Sequence, residues 1–301
     1  MTKMTGGQAI VRSLMRNGVD TIFGLPGVQL DNTFDALYEV KDQVRVIHTR
    51  HEQGAAYMAL GYAQSTGKVG TFIVVPGPGV LNASAALSTA VGSNVPVLGL
   101  TGQIPSYQIG QGLGIPHEIR DQLQAMRGVV KWADRADTPA EAPGKLREAF
   151  RAMLSGRHQP AVFEMAPDIM GKTDDVELLD PERFNEGPET DESAIVEAAK
   201  LLGNAEKPMI FVGSGVFGAE AELERVAELL DAPVVMSRTG RGAISDESYR
   251  AQNMIGGQEL WGDADAALVV GTRFLAPALA WGREDEVKTV RIDIDAEQGA
   301  K

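Results

Sequence analysis

Along the first 166 residues, short apolar runs alternate with segments whose apolar positions recur at helical spacing. The runs are TIFGL (21–25), VRVIH (44–48), VGTFIVV (69–75), VPVLGLTG (95–102) and AVFEMA (161–166). Between them Ile10, Leu14 and Met15 recur at i, i+4, i+5, and Leu30, Phe34, Leu37 and Tyr38 at i, i+4, i+7, i+8. Near-continuous apolar strands alternating with helices predict a parallel sheet covered on both faces. The runs end in Gly/Pro turns, GLPG, PGPG and TGQIP. Open α/β sheets bind ligands beyond the carboxyl ends of their strands. These turns, and the turn at Glu52, are therefore expected along one edge.

The rhythm breaks after that point, in an acidic, proline-interrupted stretch without a sustained period. It reads as an interdomain linker over 171–190. A second α/β pattern follows: helix 191–203, PMIFVG (208–213), helix 219–230, PVVMS (233–237), ALVVG (267–271) and VRIDID (290–295). The fold class expected is α/β, with two doubly wound parallel-sheet domains at 1–170 and 191–301.

Charge and composition narrow the partners. The 301 residues include 28 basic and 41 acidic side chains, a formal net charge of −13. Nucleic acids and anionic membranes require clustered positive charge, so neither is an expected partner. The absence of cysteine excludes thiol catalysis, thiolate metal sites and disulfides. The N-terminus lacks signal-peptide architecture, and no apolar run approaches the roughly 18 residues of a membrane span. A cytoplasmic location is expected.

Three places offer chemistry. PGPGVLNASAAL (76–87) puts a Gly/Pro loop before a helix, where unpaired N–H groups and the helix dipole favour a polar ligand. A plain βα turn reads the same way, and no Walker Lys-Ser/Thr follows. GSGVFG (213–218) has the strand–loop–helix context of a dinucleotide fingerprint. The next strand ends in Met236-Ser237-Arg238 with no carboxylate, which disfavours NAD. A flavin, an adenosine phosphate or a ligand-free turn all fit. No triad, nucleophile elbow or H-E-x-x-H pattern is present, which leaves Glu52 in RHEQGAA as the main titratable candidate. A first-turn glutamate that merely complements the helix dipole is the plain alternative, worth about 0.3–1 kcal/mol.

Taken together, GLPGVQLDNTFDAL (24–37), RHEQGAAYMALGYAQSTGKVG (50–70), PGPGVLNASAAL (76–87), VPVLGLTGQIP (95–105), SRTGRGAIS (237–245) and RIDID (291–295) carry a resemblance over essentially the whole chain. The sequence resembles the thiamine-diphosphate-dependent 2-oxo acid decarboxylases and carboligases, in their acetolactate synthase-like branch. The resemblance implies that Glu52 hydrogen-bonds the cofactor's pyrimidine nitrogen and promotes the imino tautomer that generates the ylid. It implies a carboxylate in a nearly dry pocket. Pro26, Gly27, Val28, Pro78, Asn82 and Gln103 match positions around the cofactor, and His117 and Glu118 fall in the substrate loop. In the second domain Gly213, Gly215, Arg238, Gly240 and Arg273 match a place where some members hold FAD. A 2-oxo acid substrate and a homodimer or homotetramer are implied as well.

Two departures qualify the resemblance. GIPHEIRDQ (114–122) stands where acetolactate synthases carry Phe-Gln-Glu, so the substrate is not implied. The Gly-Asp-Gly motif that holds the diphosphate and Mg2+ is absent, the nearest string being Gly262-Asp263-Ala264. A third, diphosphate-binding domain is therefore expected to be missing from this chain, with no metal ligand here and no activity by the chain alone. The competing reading is a non-catalytic FAD-, ADP- or CoA-binding module, or a regulatory partner subunit.

Overall fold

The computed structural model describes residues 1–182, 191–283 and 285–295. The chain forms two compact units, Met1–Asn185 and Glu186–Lys301. The first runs β1 (Thr2–Thr5), α1 (Gly6–Arg16), β2 (Thr21–Gly24), α2 (Asp31–Glu39), β3 (Arg45–His48), α3 (Glu52–Thr66), β4 (Gly70–Val74), α4 (Pro78–Ser93) and β5 (Val97–Thr101). It continues through α5 (Gln122–Arg127), β6 (Trp132–Ala136), α6 (Ala142–Leu154), β7 (Ala161–Met165), α7 (Pro167–Gly171) and β8 (Thr173–Val176).

Six of these strands form a parallel sheet in the order β3-β2-β4-β5-β7-β6. The inner strands β4, β5 and β7 are buried along their whole length, as their unbroken apolar runs require. One core gathers Ile10, Leu14, Leu37, Leu146 and Phe150 from α1, α2 and α6. The other gathers Ala55, Ala59, Ala83, Ala86 and Leu87 from α3 and α4. Alanine at these positions lets the two helices come close to each other and to the sheet. A Cβ on Gly70 would lie 2.0 Å from the Ala59 carbonyl oxygen, so α3 rests directly on the start of β4.

Helix ends follow local chemistry. Pro78 opens α4 in the first turn, where its missing N–H is not needed. Gly67, at φ 71°, closes α3 in the left-handed conformation.

Two parts of the unit differ from the sequence-based expectation. The expected linker at 171–190 is corrected at its start, because Gly171 ends α7 and Thr173–Val176 pair antiparallel with Thr2–Thr5. Both strands are short and largely polar, TKMT and TDDV, so an apolar-run criterion passes over them. Residues 183–190 of that linker lie outside the described residues. β6 is the second addition. As the sheet's last strand it buries Ala133 and Ala136 while Trp132, Asp134 and Arg135 stay partly exposed.

The second unit runs α8 (Glu192–Gly203), β9 (Pro208–Val212), α9 (Glu220–Leu230), β10 (Val234–Met236), β11 (Ala251–Gln252), α10 (Met254–Trp261), β12 (Ala266–Val270) and β13 (Lys288–Ile292). Its sheet is parallel in the order β11-β10-β9-β12-β13. Ile210, Val212, Val234 and Leu268 pack one face. Met209, Phe211, Val235 and Trp261 pack the other. Both units are doubly wound α/β folds.

Candidate active site

In the first sheet the chain goes from β2 outward to β3, then returns to place β4 on the other side of β2. Strand order reverses there, and in open α/β sheets the carboxyl ends at such a reversal are where ligands bind. The backbone of the loops after β2 and β4 is drawn together around one side chain, Val75. A Cβ on Gly27 would lie 2.4 Å from Val75 Cγ1, and one on Gly79 2.6 Å from Val75 Cγ2. Neither glycine has room for a side chain. Pro26 and Val28 lie on this edge, with Val28 79% exposed.

Glu52 reaches this edge from the turn after β3, as the first residue of α3. His51 caps that helix: its Nδ1 accepts the Gln53 N–H at 3.1 Å, which places any ring proton of a neutral imidazole on Nε2. His51 is thus a capping residue and no acid–base partner for Glu52. The Glu52 carboxylate accepts a hydrogen bond from Asn82 Nδ2 on α4 at 3.0 Å. A Cβ on Gly79 would lie 3.6 Å from Glu52 Oε1, so the glycine backs onto the carboxylate as well as onto Val75. A Cβ on Gly54 would meet nothing within 4 Å. Glu52 is half-buried, whereas the resemblance calls for a nearly dry pocket. On the same two helices Tyr57, Met58 and Leu81 are 41%, 42% and 42% exposed.

The loop after β5 joins the same edge. A Cβ on Gly102 would lie 2.9 Å from the Gln29 carbonyl oxygen and 3.3 Å from Pro76 Cδ, so this loop touches both others. Gln103, however, is 5% exposed and turns its amide inward to Glu164 instead of toward Glu52. His117 and Glu118 are likewise engaged within the protein. His117 Nδ1 is bonded to the Pro76 carbonyl oxygen at 3.1 Å. Its backbone also fills the space beside Gly77, whose φ is +59°. Glu118 accepts the N–H groups of Gly114 and Ile115 at 2.6 and 3.2 Å.

Two residues went unnoticed in the sequence: Glu164 and Gln122, 0% and 2% exposed behind these loops. The available signal was a carboxylate inside the apolar strand AVFEMA. Burial pushes the Glu164 carboxyl above its ordinary value, against hydrogen bonds from Gln122 and Gln103 and the charge of Arg135. Burial also acts on Arg135, yet Glu164 and Asp137 outweigh it and raise its proton affinity. The side chains differ in exposure, 24% for Arg135 against 0% for Glu164, which explains the different balance.

Comparison with known proteins decides the family. Residues 4–126 match the thiamine pyrophosphate enzyme N-terminal TPP binding domain, and residues 195–301 match the central domain of the same enzymes. The chain belongs to the thiamine pyrophosphate enzymes. An acetolactate synthase of Arthrospira platensis is 32% identical, with 99% of this chain and 55% of that protein aligned. A probable 2-ketoarginine decarboxylase of Pseudomonas aeruginosa is 32% identical over 97% of this chain and 53% of that protein. The isozyme 3 large subunit of Escherichia coli acetolactate synthase is 32% identical over 91% and 49%. The chain spans about half the length of these curated relatives.

Glu52, Asn82 and Gly79 lie within the residues that match the N-terminal TPP binding domain. Together they present a carboxylate held by an amide donor. Pro78 lies at the foot of α4, four residues before Asn82. Among the described residues no group of three His, Cys, Asp or Glu side chains converges as a metal site would require. No helix among them is long and apolar enough to cross a membrane.

In the central domain, Gly213 and Gly215 follow β9, Arg238 and Gly240 follow β10, and Arg273 follows β12, all at the carboxyl edge. The fold therefore brings them together. Their glycines, though, are filled by neighbouring backbone. A Cβ would lie 2.3 Å from the Gly271 oxygen at Gly213, 2.7 Å from Gly271 Cα at Gly215, and 2.5 Å from the Val212 oxygen at Gly240.

Proposed function

We propose that the first unit is the aminopyrimidine-binding part of an enzyme that uses thiamine diphosphate to break or make the bond beside the carbonyl of a 2-oxo acid. The observation that carries this reading is the Glu52 carboxylate, held by Asn82 at 3.0 Å beside the side-chain-free Gly79. When bound, thiamine diphosphate supplies the electron sink for that bond. Glu52 holds the proton at the pyrimidine ring nitrogen. Asn82 fixes the orientation of the carboxylate, and His51 fixes the start of the helix that presents it. Gly27 and Gly79 draw the flanking loops together, with Pro26, Val28 and Pro78 at their surface. The relatives support this class of reaction, one named as a synthase of acetolactate and another as a decarboxylase of a 2-keto acid.

Magnesium accompanies the diphosphate in this reading, and no described residue is assigned to it. The glycines of the second unit are accounted for by loop contacts, so FAD has no supporting observation there. A second copy of the chain is the proposed partner, in a homodimer or homotetramer that covers Tyr57, Met58 and Leu81.

The test is hydrogen–deuterium exchange at the thiazolium carbon, in a protein where a diphosphate-binding domain completes the site. Glu52→Gln is expected to slow it by about a hundredfold or more, the lower range for positioned acid–base groups. Folding should change by no more than about 1 kcal/mol, the dipole contribution of the charge. Exchange at the wild-type rate refutes the role given to Glu52.

A further inference from the structure

Behind the site loops lies a buried polar cluster that the proposed chemistry leaves unused. The Glu164 carboxylate accepts three hydrogen bonds. Oε1 takes Gln103 Nε2 at 3.1 Å and Arg135 Nη1 at 3.0 Å, and Oε2 takes Gln122 Nε2 at 2.6 Å. The other ends of the two amides meet backbone. Gln122 Oε1 accepts the Gly77 N–H at 2.7 Å, and Gln103 Oε1 accepts the Ile104 N–H at 2.8 Å. Gln122 Nε2 also donates to the Gly102 carbonyl oxygen at 3.0 Å.

A primary amide has a donating and an accepting side, and its partners decide which way it points. An ionised carboxylate only accepts. Each glutamine therefore turns its NH2 toward Glu164 and its carbonyl oxygen toward the backbone N–H of a site loop, and for Gln122 the Gly102 carbonyl calls for the same orientation. We infer that Glu164 is a positioning residue: through Gln122 and Gln103 it sets the amide orientations that hold Gly77 and Ile104, in the loops after β4 and β5. Gly77 immediately precedes α4, and α4 carries the Asn82 that orients Glu52. That last link rests on the role proposed for Glu52; the amide orientations do not.

Stability alone does not account for the cluster. Removing a carboxylate from water costs more than an ion pair commonly returns, and burial here raises the proton affinity of Glu164. Around Glu164 stand Arg135 from β6, Thr101 as its register partner on β5, Gln103 after β5 and Gln122 on α5. Asp137 lies behind Arg135, bonded to its Nε at 2.8 Å. Arg135 and Asp137 are the charged members of that group. Protonating Glu164 would give one of its oxygens an O–H, and the amide facing that oxygen would lose its acceptor.

Nuclear magnetic resonance of the 301-residue chain tests this directly. The background is His117→Asn, which removes the imidazole bonded to the Pro76 oxygen from beside Gly77. As pH falls, the side-chain amides of Gln103 and Gln122 and the backbone amides of Gly77 and Ile104 should shift with one common midpoint. That midpoint should lie above the ordinary glutamate value of 4.5. Separate midpoints, or a Gly77 signal that does not move, overturn the inference.

Glu164→Gln, which donates as readily as it accepts, should speed hydrogen exchange at Gly77 by about tenfold or more, as expected for a buried N–H whose acceptor is lost. Glu164→Asp, again acceptor-only, should recover most of the protection. Wild-type exchange at Gly77 in Glu164→Gln overturns the inference. Should that variant fail to fold, the titration still decides. These signals involve no cofactor. An error about Glu52 would leave them as described, and an error about Glu164 would leave the Glu52→Gln effect intact.

Discussion

At the carboxyl edge of the first sheet, Gly27 and Gly79 close on the side chain of Val75, and the Glu52 carboxylate lies 3.6 Å from where a Cβ on Gly79 would sit. At the edge of the second sheet, Gly213, Gly215 and Gly240 close on the backbone of Gly271 and Val212. Both edges follow apolar parallel strands, and both read as glycine-rich turns before helices. Absence of a Cβ lets something approach, and the sequence does not say whether that something is a ligand or another loop. What separates the two is the polar group sharing the space: Glu52 with its amide donor in one, main chain in the other. The first edge is built around a titratable side chain, the second around its own loops.

The largest effect on folding is expected where backbone already occupies the space. Gly213→Ala puts a Cβ 2.3 Å from the Gly271 oxygen, and main chain cannot swing aside as a side chain can. Such overpacking costs about 1–3 kcal/mol, read as a lower melting temperature of the second unit by calorimetry. A melting temperature equal to wild type would mean that this edge has slack, and the contrast between the two edges would fail.

Glu164 sets the next effect, on the pH dependence of stability. Its carboxyl is raised above the ordinary value of 4.5 by burial. Between that value and the raised one, the native chain keeps a proton that the unfolded chain has released. Stability should therefore fall as pH rises through that window and stay level above it, with a slope of at most about 1.4 kcal/mol per pH unit for one proton. Denaturant titrations at several pH values measure the slope, and Glu164→Gln should remove its share. The same slope in the variant would assign it to another group.

Assembly comes next. Met58→Asp places a charge on the exposed side of α3, where a lone chain should tolerate it within about 0.5 kcal/mol. If a second copy covers this face, light scattering should show a shift toward monomer. An unchanged mass would point to a different surface. Ala59, one residue on, is 0% exposed against β4, so a charge there would test the core and not the interface.

The smallest effect sharpens the contrast from the other side. Gly54 lies in the first turn of α3, and a Cβ there meets nothing within 4 Å. Gly54→Ala should leave the fold intact and stabilise it by about 0.5–1 kcal/mol, the usual penalty of glycine within a helix. A loss of stability would show that the space beside Glu52 is needed by the fold itself.

The sequence by itself determined the two α/β units and their parallel sheets, because buried strands must be apolar along their length and covering helices must be apolar on one face. It also places Glu52 at a strand-to-helix turn at the carboxyl edge of the sheet. It passed over β1, β8 and β6, whose polar or alternating residues become strands only because an edge or a returning chain segment offers hydrogen bonds. Gln103 matches a position around the cofactor, and its amide is held by Glu164, 61 residues away in the chain. Tertiary structure alone decided the bonds Glu52–Asn82, Gln122–Gly77 and Gln103–Glu164, and which glycines stand open and which are filled. Periodicity is a local property, legible from neighbours a few residues apart. The partners of a buried amide, and what fills the space beside a glycine, depend on groups tens of residues distant that only folding brings together.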